Sequence, residues 1–193
     1  MGTGTGQIVG DNNTQNIMVW LDGREGLTHS VVHDLLALVY NGPLRADSEL
    51  SLDAPISMNE KLRFNNASKY MNVIRNHSSD YAMVRDAMRE FPDSEKIIKK
   101  LGDLFYDVAD YDDDGELVVG NGDAQLDAIK ERLVDALVHD MDYDAHAHSM
   151  EDVESFCIAL VACGVSRCIV LVKPANGKRD RESCCSSIGT MTQ

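Results

Sequence analysis

The clearest hydrophobic pattern in the chain runs through its middle and repeats at alternating steps of four and three residues. It comprises Tyr70, Ile74, His77, Tyr81, Val84, Met88 and Phe91. Because one helical turn takes 3.6 residues, this spacing keeps a narrow apolar stripe on one side of a helix. Pro92 follows directly, and proline ends helices because it lacks an amide hydrogen. The pattern predicts one continuous helix over residues 70–91, packed against a partner along one seam.

Four other segments have a helical period. The first opens at Thr28, a good N-terminal cap, and stops at Asn41-Gly42-Pro43. The second opens at Asp93 or Ser94, and the third covers about residues 123–139. The last, residues 150–172, begins with acidic residues and is then apolar on nearly every side, which indicates a buried central helix. The five segments together predict an all-α fold of about five helices in one domain.

The segments between and beyond these helices divide the chain into four parts. Residues 1–26 are polar and rich in Gly and Thr, so we expect a flexible or short β leader. Residues 27–55 carry the first helix and a linker, and residues 56–174 form the main helical domain. Residues 175–193 are charged and then rich in Ser, Cys and Thr, which is typical of a disordered tail.

The charge of the chain is concentrated in one segment. The formal net charge is −14 over 193 residues, and residues 101–154 alone hold 17 acidic and 2 basic residues. An acidic surface repels phosphate backbones, so we expect no binding to nucleic acid. The acidic block is typical of a solvated face or of a surface that meets a basic partner.

The cellular environment is predicted from what the sequence lacks. The longest apolar run, residues 156–172, is shorter than the roughly 20 residues that span a bilayer and is interrupted by Ser166-Arg167. No segment has the pattern of a secretory signal. The five cysteines are an odd number, which favours reduced thiols over a disulfide framework. We therefore expect a cytoplasmic protein without a membrane partner.

The most specific metal-binding pattern lies in the acidic segment. Residues 110–121, DYDDDGELVVGN, nearly match an EF-hand calcium loop, in which alternate carboxylates converge on one hard cation and Gly115 permits the sharp turn. A calcium loop has a bidentate Glu at position 12, but this position is Asn121. Loss of that carboxylate weakens calcium binding unless Asp123, two residues further on, substitutes for it. The alternatives are a calcium site and a solvated connection between helices. The candidate ligands are Asp110, Asp112, Asp114 and Glu116.

Two stretches place histidines near one another or near carboxylates. His29 and His33 are one turn apart on the first predicted helix, but no Glu of a metalloprotease signature stands between them. Residues 139–148, HDMDYDAHAH, alternate Asp and His without Cys or a second pair at zinc spacing. Each stretch alone is better interpreted as a solvated face or loop. His77, on the apolar seam, is expected to be a hydrogen-bonded structural residue.

No arrangement of nucleophile, base or cofactor motif is evident. Cys157, Cys163 and Cys168 stand six and five residues apart, which matches no zinc or redox motif and indicates small buried hydrophobic residues. The initial GTGTG is not placed between a strand and a helix, as a phosphate-binding loop requires. We expect no catalytic residue and no cofactor other than the calcium alternative; a small enzyme with an unrecognised site is the remaining class.

Two motifs at the ends of the main helical domain resemble those of a known family. EKLRFN, residues 60–65, precedes the long Tyr-containing helix, and RCIVLVKP, residues 167–174, follows the buried apolar helix. In this order, over residues 56–174, they resemble the C-terminal domain of effectors of bacterial ABC-three-component conflict systems. The sequence departs from the family at Ile169, where Lys is frequent, and in its Val-Lys-Pro ending.

The resemblance implies an α-helical interaction domain at residues 56–174 that couples to other subunits of a defence system, among them an ATPase-containing assembly. The positions carried over are Phe64, Asn65, Arg167 and Cys168. The residues themselves predict that Asn65 caps the long helix, that Phe64 staples its N-terminal side, and that Arg167 requires a partner. Effectors of this kind carry an enzymatic domain before the module, and only some 55 residues precede it here, which favours a non-enzymatic adaptor against phage or plasmids.

The leader resembles a second kind of defence element. Residues 7–16, QIVGDNNTQN, combine a β-prone core with Asn and Gln side chains that form ladders when identical chains stack. They resemble the short amyloid signalling motifs of some bacterial immune adaptors. The alternative for this segment is a flexible leader.

Overall fold

The computed structural model describes residues 29–41 and 56–174 and confirms the all-α class. Within these ranges it contains seven helices and one two-stranded antiparallel sheet. The predicted leader, its amyloid-like motif and the predicted tail lie outside the described residues. The elements are α1 (Val31–Asn41), α2 (Ile56–Phe64), α3 (Ser68–Asn76), α4 (Ser78–Glu90), α5 (Ser94–Tyr106), β1 (Asp110–Tyr111), β2 (Leu117–Val118), α6 (Gly122–Val138) and α7 (Met150–Ser166).

Helix α7 is the centre of the fold, as its all-round apolar sequence predicts. It packs most extensively on α4, then on α6, and also contacts α2, α3 and α5. Nearly all of its residues from Phe156 onward are buried, including Phe156, Leu160 and Val165. Since burying one large aliphatic or aromatic side chain contributes roughly 1.5–3 kcal/mol, this helix supplies much of the hydrophobic stabilisation.

The two ends of α7 are capped by different motifs. At the start, Ser149 and Asp152 form a capping box, in which each side chain binds the backbone amide of the other residue. The prediction that the helix continues to residue 172 is wrong. The helix ends at Ser166, and Cys168 adopts a left-handed φ of 59°. The amides of Ile169 and Cys168 then bind the carbonyls of Gly164 and Val165, which is a Schellman ending.

The predicted continuous helix over residues 70–91 is also wrong, because it is broken at His77. Helix α3 ends at Asn76 and α4 begins at Ser78, while His77 has φ −106° and ψ 28°. The sequence around the break, NHSSD, is rich in residues whose side chains compete for backbone groups and favour helix ends. Nδ1 of the half-buried His77 lies 3.2 Å from the Asp80 carboxylate, in agreement with its expected structural role. The apolar stripe continues across the break, so the seam persists.

Helices α5 and α6 follow their predicted bounds closely, and α1 begins later than expected. Helix α1 starts at Val31 rather than Thr28, which lies outside the described residues. It buries Val32, Leu35, Leu36 and Val39 and packs on α4 and α5. None of the described helices has the length and apolar content needed to cross a membrane.

The N-terminus of α3 is capped from another helix. Its own N-cap residue, Ala67, has no side chain able to accept a hydrogen bond. The Asp123 carboxylate, in the first turn of α6, instead accepts the amides of Lys69 and Tyr70 at 3.1 and 3.2 Å. A neighbouring carboxylate, Asp127, accepts the Tyr70 hydroxyl at 3.0 Å and pairs with Lys69. The start of α3 and the start of α6 are therefore fixed to each other.

We predict opposite effects for alanine at two glycines. A Cβ at Gly122 would lie 2.2 Å from the backbone oxygen of Asn65, so Gly122→Ala must displace backbone and should lower the free energy of unfolding by about 1–3 kcal/mol. At Gly102, inside α5, the nearest atom would be 3.4 Å away, and Gly102→Ala should raise the same quantity by about 0.5–1 kcal/mol. Urea unfolding of both variants measures this, and equal effects would contradict the close approach at Gly122.

Candidate functional site

Asn65, one of the positions carried over from the family resemblance, joins three parts of the fold. Its side-chain amide donates to the backbone oxygens of Lys61 and Val172 at 2.9 and 2.8 Å. Its side-chain oxygen accepts the Val172 amide at 3.0 Å, and its backbone oxygen accepts the Gly122 amide at 2.9 Å. The expectation that Asn65 caps the long helix is wrong, because its side chain is committed to the segment that follows α7.

The other residues of the two family-like motifs lie around this junction. Lys61, one turn before Asn65, is buried and donates from Nζ to the Val165 carbonyl near the end of α7 at 3.2 Å. Cys168 is partly exposed at the Schellman turn, and Arg167 is the exposed C-cap residue of α7. Phe64 is exposed at the end of α2. The structure thus joins the EKLRFN and RCIVLVKP motifs, which are about a hundred residues apart in sequence.

The acidic loop at residues 110–121 closes as a β-hairpin. Asp110 pairs with Val118 and Tyr111 with Leu117. The Asp112 carboxylate accepts the amides of Asp114 and Glu116 at 3.0 and 2.9 Å, and Gly115 has the left-handed φ of 81° that the turn requires. No three carboxylates of this loop bring oxygen atoms within 4.8 Å of one another.

The ends of this loop have structural partners. The Asp110 carboxylate accepts a hydrogen bond from Gln125, and the Asn121 side chain caps α6 through the Ala124 amide. Asn121 therefore fits a helix start better than the last ligand position of a calcium loop. The candidate calcium ligands are all exposed, namely Asp110, Asp112, Asp114 and Glu116. Their exposure favours the interpretation of this segment as a solvated turn.

The same hairpin displays large apolar side chains among its carboxylates. Tyr106 is 56% exposed and Tyr111 46% exposed, and the Tyr111 hydroxyl donates to the Tyr106 backbone oxygen at 3.0 Å. Val119, just after β2, is also exposed. We call residues 106–119 the acidic hairpin face. Tyrosines on a charged surface are typical of protein contacts, because they combine apolar area with a polar group.

A second cluster of polar groups lies where α1 meets the loop between α6 and α7. Nδ1 of His29 lies 2.9 Å from Asp142 Oδ2 and 3.9 Å from Asp140 Oδ1, and Nε2 of the same ring lies 3.1 Å from Asp34 Oδ2. The Asp140 carboxylate is fully buried and accepts the amides of Ser30 and Asp142. Hydrogen bonds from the His29 ring to the carboxylates of Asp34 and Asp142 raise the pKa of His29. We call His29, Asp140 and Asp142 the His-Asp corner.

Two further histidines pack against each other beside α1. His33, one turn after His29, and His148 are both buried, and their rings meet edge to face at 6.5 Å between centroids. Burial, and then the nearby His33, lower the pKa of His148, which favours its neutral form. Nδ1 of His148 has no hydrogen-bond partner among the described residues. Residues 29–33 and 139–148 are more than a hundred positions apart in the sequence, and only the fold brings them together.

The cysteines of α7 occupy the interior, as expected. Burial raises the pKa of the Cys157 and Cys163 thiols to about 12. At neutral pH such thiols are protonated, and the thiolate is the form that attacks electrophiles or binds metals. These two side chains therefore act as apolar packing groups.

Two open depressions on the described part of the chain are small. One of about 250 Å³ lies between α6 and α7 and is lined by Lys130, Glu131, Val134, Asp135, Val138 and Glu154. Another, of about 260 Å³, lies beside the hairpin and is lined by Asp110, Asn121 and Gln125 among others. Both are below the roughly 300–1,000 Å³ that is typical of sites for drug-sized ligands.

We predict that Asn65→Asp strongly destabilises the fold. The new carboxylate oxygen would face the carbonyl oxygens of Lys61 and Val172 in place of a donor, which should cost about 2–3 kcal/mol and lower Tm by roughly 5–10 °C. Asn72→Asp is the matched control: Asn72 is exposed on α3 next to Arg75, and the change should stay within about 0.5 kcal/mol. Thermal unfolding followed by circular dichroism compares the two, and equal Tm values would contradict the junction.

A thiol-labelling experiment checks the interior. In a Cys184→Ser/Cys185→Ser background at pH 8, a disulfide reagent such as DTNB should modify Cys168 in the folded protein, whereas Cys157 and Cys163 should react only after denaturation. Cys168 serves as the internal control for reagent access. Immediate reaction of all three thiols would show that α7 is not the buried helix described above.

Comparison with known proteins finds no relative. No protein-family model matches the chain, and neither a curated protein nor a solved structure shows significant similarity to it.

Proposed function

We propose that this chain is a helical protein-interaction module, an adaptor that acts without catalysis and binds a basic protein partner through the acidic hairpin face. The observation that carries the proposal is the exposure of Tyr106, at the end of α5, and of Tyr111 and Val119, on the hairpin, among the carboxylates of the acidic hairpin face. Exposed aromatic side chains are the residues most often found as energetic centres of protein interfaces.

Charge defines the kind of partner. The hairpin turn alone contributes Asp112, Asp113, Asp114 and Glu116, all exposed. Arg132 pairs with Asp107 at 2.9 Å and so offsets one carboxylate at the base of the hairpin. A surface of this sign accelerates association with a positively charged partner and discourages acidic ones. The partner should therefore present Lys and Arg around an apolar or aromatic pocket.

The resemblance described above suggests which partners to test. It implies coupling to subunits of a bacterial ABC-three-component defence system, including an ATPase-containing assembly, in the cytoplasm. The joining of the EKLRFN and RCIVLVKP motifs at one junction supports treating residues 56–174 as one unit. Within these motifs, Asn65 is used internally, whereas Phe64 and Arg167 are exposed and available for contact.

The test of this function is co-purification of the full chain with the products of neighbouring genes. One of them should be recovered at fixed stoichiometry, and its binding should weaken as salt concentration rises because the contact is charged. A Tyr106→Ala/Tyr111→Ala double variant should bind at least about tenfold more weakly, as expected for two hot-spot side chains.

Met150→Ala is the control for this experiment. Met150 is also exposed but begins α7 and is not one of residues 106–119, so the change should leave affinity within about twofold. Circular dichroism checks that all variants fold. Failure to recover any product, or equal affinity of the double variant and the parent, would refute the proposed function or the proposed surface, respectively.

A further inference from the structure

The His-Asp corner has the composition of a metal site rather than of an ordinary ion pair. It offers one imidazole nitrogen and two carboxylate oxygens, all within 4.8 Å of one another. It is the only group of three such ligands among the described residues. Mixed nitrogen and oxygen ligands suit first-row divalent ions such as Zn²⁺.

The distances in the corner agree with coordination. With ligands about 2.0–2.2 Å from a zinc ion, neighbouring ligand atoms in tetrahedral or octahedral geometry lie roughly 2.9–3.6 Å apart. The distance from His29 Nδ1 to Asp142, 2.9 Å, lies in this range, and the distance to Asp140, 3.9 Å, is slightly longer. Small rotations of the exposed His29 and Asp142 side chains would bring all three atoms to coordination distance.

The second nitrogen of His29 has the partner that metal-bound histidines usually have. Nε2 lies 3.1 Å from the Asp34 carboxylate on the first turn of α1. A carboxylate at this position accepts the N–H of the imidazole, fixes its tautomer and leaves the other nitrogen free to bind a metal. Asp34 therefore orients Nδ1 toward Asp140 and Asp142.

The balance of charge in the corner also favours a cation. Within the described ranges, the ion-pair partner of Asp34, Asp140 and Asp142 is in each case the same ring, His29. One imidazolium cannot neutralise three carboxylates, and one of them, Asp140, is fully buried. Burying an ionised carboxylate is costly unless it is paired or coordinates a metal.

A buried histidine without a hydrogen-bond partner packs on α1, one turn from His29. Among the described residues, Nδ1 of His148 has no partner, and the His148 ring lies edge to face against His33. Buried ring nitrogens are normally hydrogen-bonded, to water where no protein group is available. A water molecule or another small polar group is therefore expected beside His148.

We propose that His29, Asp140 and Asp142 bind one divalent transition-metal ion of the Zn²⁺ type in an open site that clamps the start of α1 to the loop between α6 and α7. Asp140 already holds the Ser30 amide there, so an ion would add a second link between the same two segments. The site is independent of the acidic hairpin face and of the proposed partner.

The test is zinc titration of the full chain by calorimetry in a Cys184→Ser/Cys185→Ser background, which removes the adjacent thiols of residues 184–185. The parent should bind one Zn²⁺ per chain. His29→Gln and Asp142→Asn should each weaken binding at least about tenfold, and Asp34→Asn about tenfold through loss of orientation. His29 and Asp142 are exposed, so both variants should fold, which circular dichroism verifies.

His146→Gln is the matched control, since His146 is exposed in the same loop but outside the corner. Its affinity should stay within about twofold of the parent. A second measurement is Tm: saturating Zn²⁺ should raise it in the parent and in His146→Gln, but not in His29→Gln. Absence of stoichiometric binding at millimolar Zn²⁺, unchanged binding in His29→Gln and Asp142→Asn, or an equal loss in His146→Gln would each overturn the assignment.

Discussion

The fold depends on how the carboxyl end of its central helix is satisfied. The last turn of helix α7 is largely buried, and the last carbonyls of a helix have no partner within it. Those of Gly164 and Val165 are met by the Schellman amides and by the buried ammonium of Lys61. Each buried carbonyl left without a hydrogen bond costs about 1–3 kcal/mol. The apolar helix α7 is therefore stable in the core only when these hydrogen bonds at its carboxyl end are also made.

The same junction explains why the helices keep their order in space. Lys61 in α2 and Asn65 just after α2 are one turn apart, so Lys61 reaches the end of α7 while Asn65 reaches Val172 in the segment that follows it. The backbone of Asn65 receives the first amide of α6, and the next residue of α6, Asp123, caps α3. Four helices are therefore joined through backbone groups. The roles of Lys61 and Asn65 in this network are structural and need no binding partner to account for them.

Local signals in the sequence predicted some elements well and others badly. Helices α5 and α6 and the start of α7 were predictable because cap residues and an apolar stripe coincide there. The break at His77 and the end of α7 at Ser166 were missed because the apolar pattern continues beyond both points. Val170 and Leu171 are buried without being helical, and hydrophobic period alone cannot distinguish these states. The His-Asp corner was missed for another reason: its halves are more than a hundred residues apart.

The acidic segment shows how one composition leads to two kinds of surface. In the hairpin turn the carboxylates are exposed and either solvated or bound to amides of the turn, so a cation there must compete with water at every oxygen. At the His-Asp corner, the Asp140 carboxylate is buried and held by two backbone amides. The cost of removing water from this carboxylate has therefore been met on folding, before any ion binds. Preorganised ligands bind ions more tightly than solvated ones, because less reorganisation accompanies binding. The hairpin is therefore suited to steer a charged protein, and the corner to hold an ion.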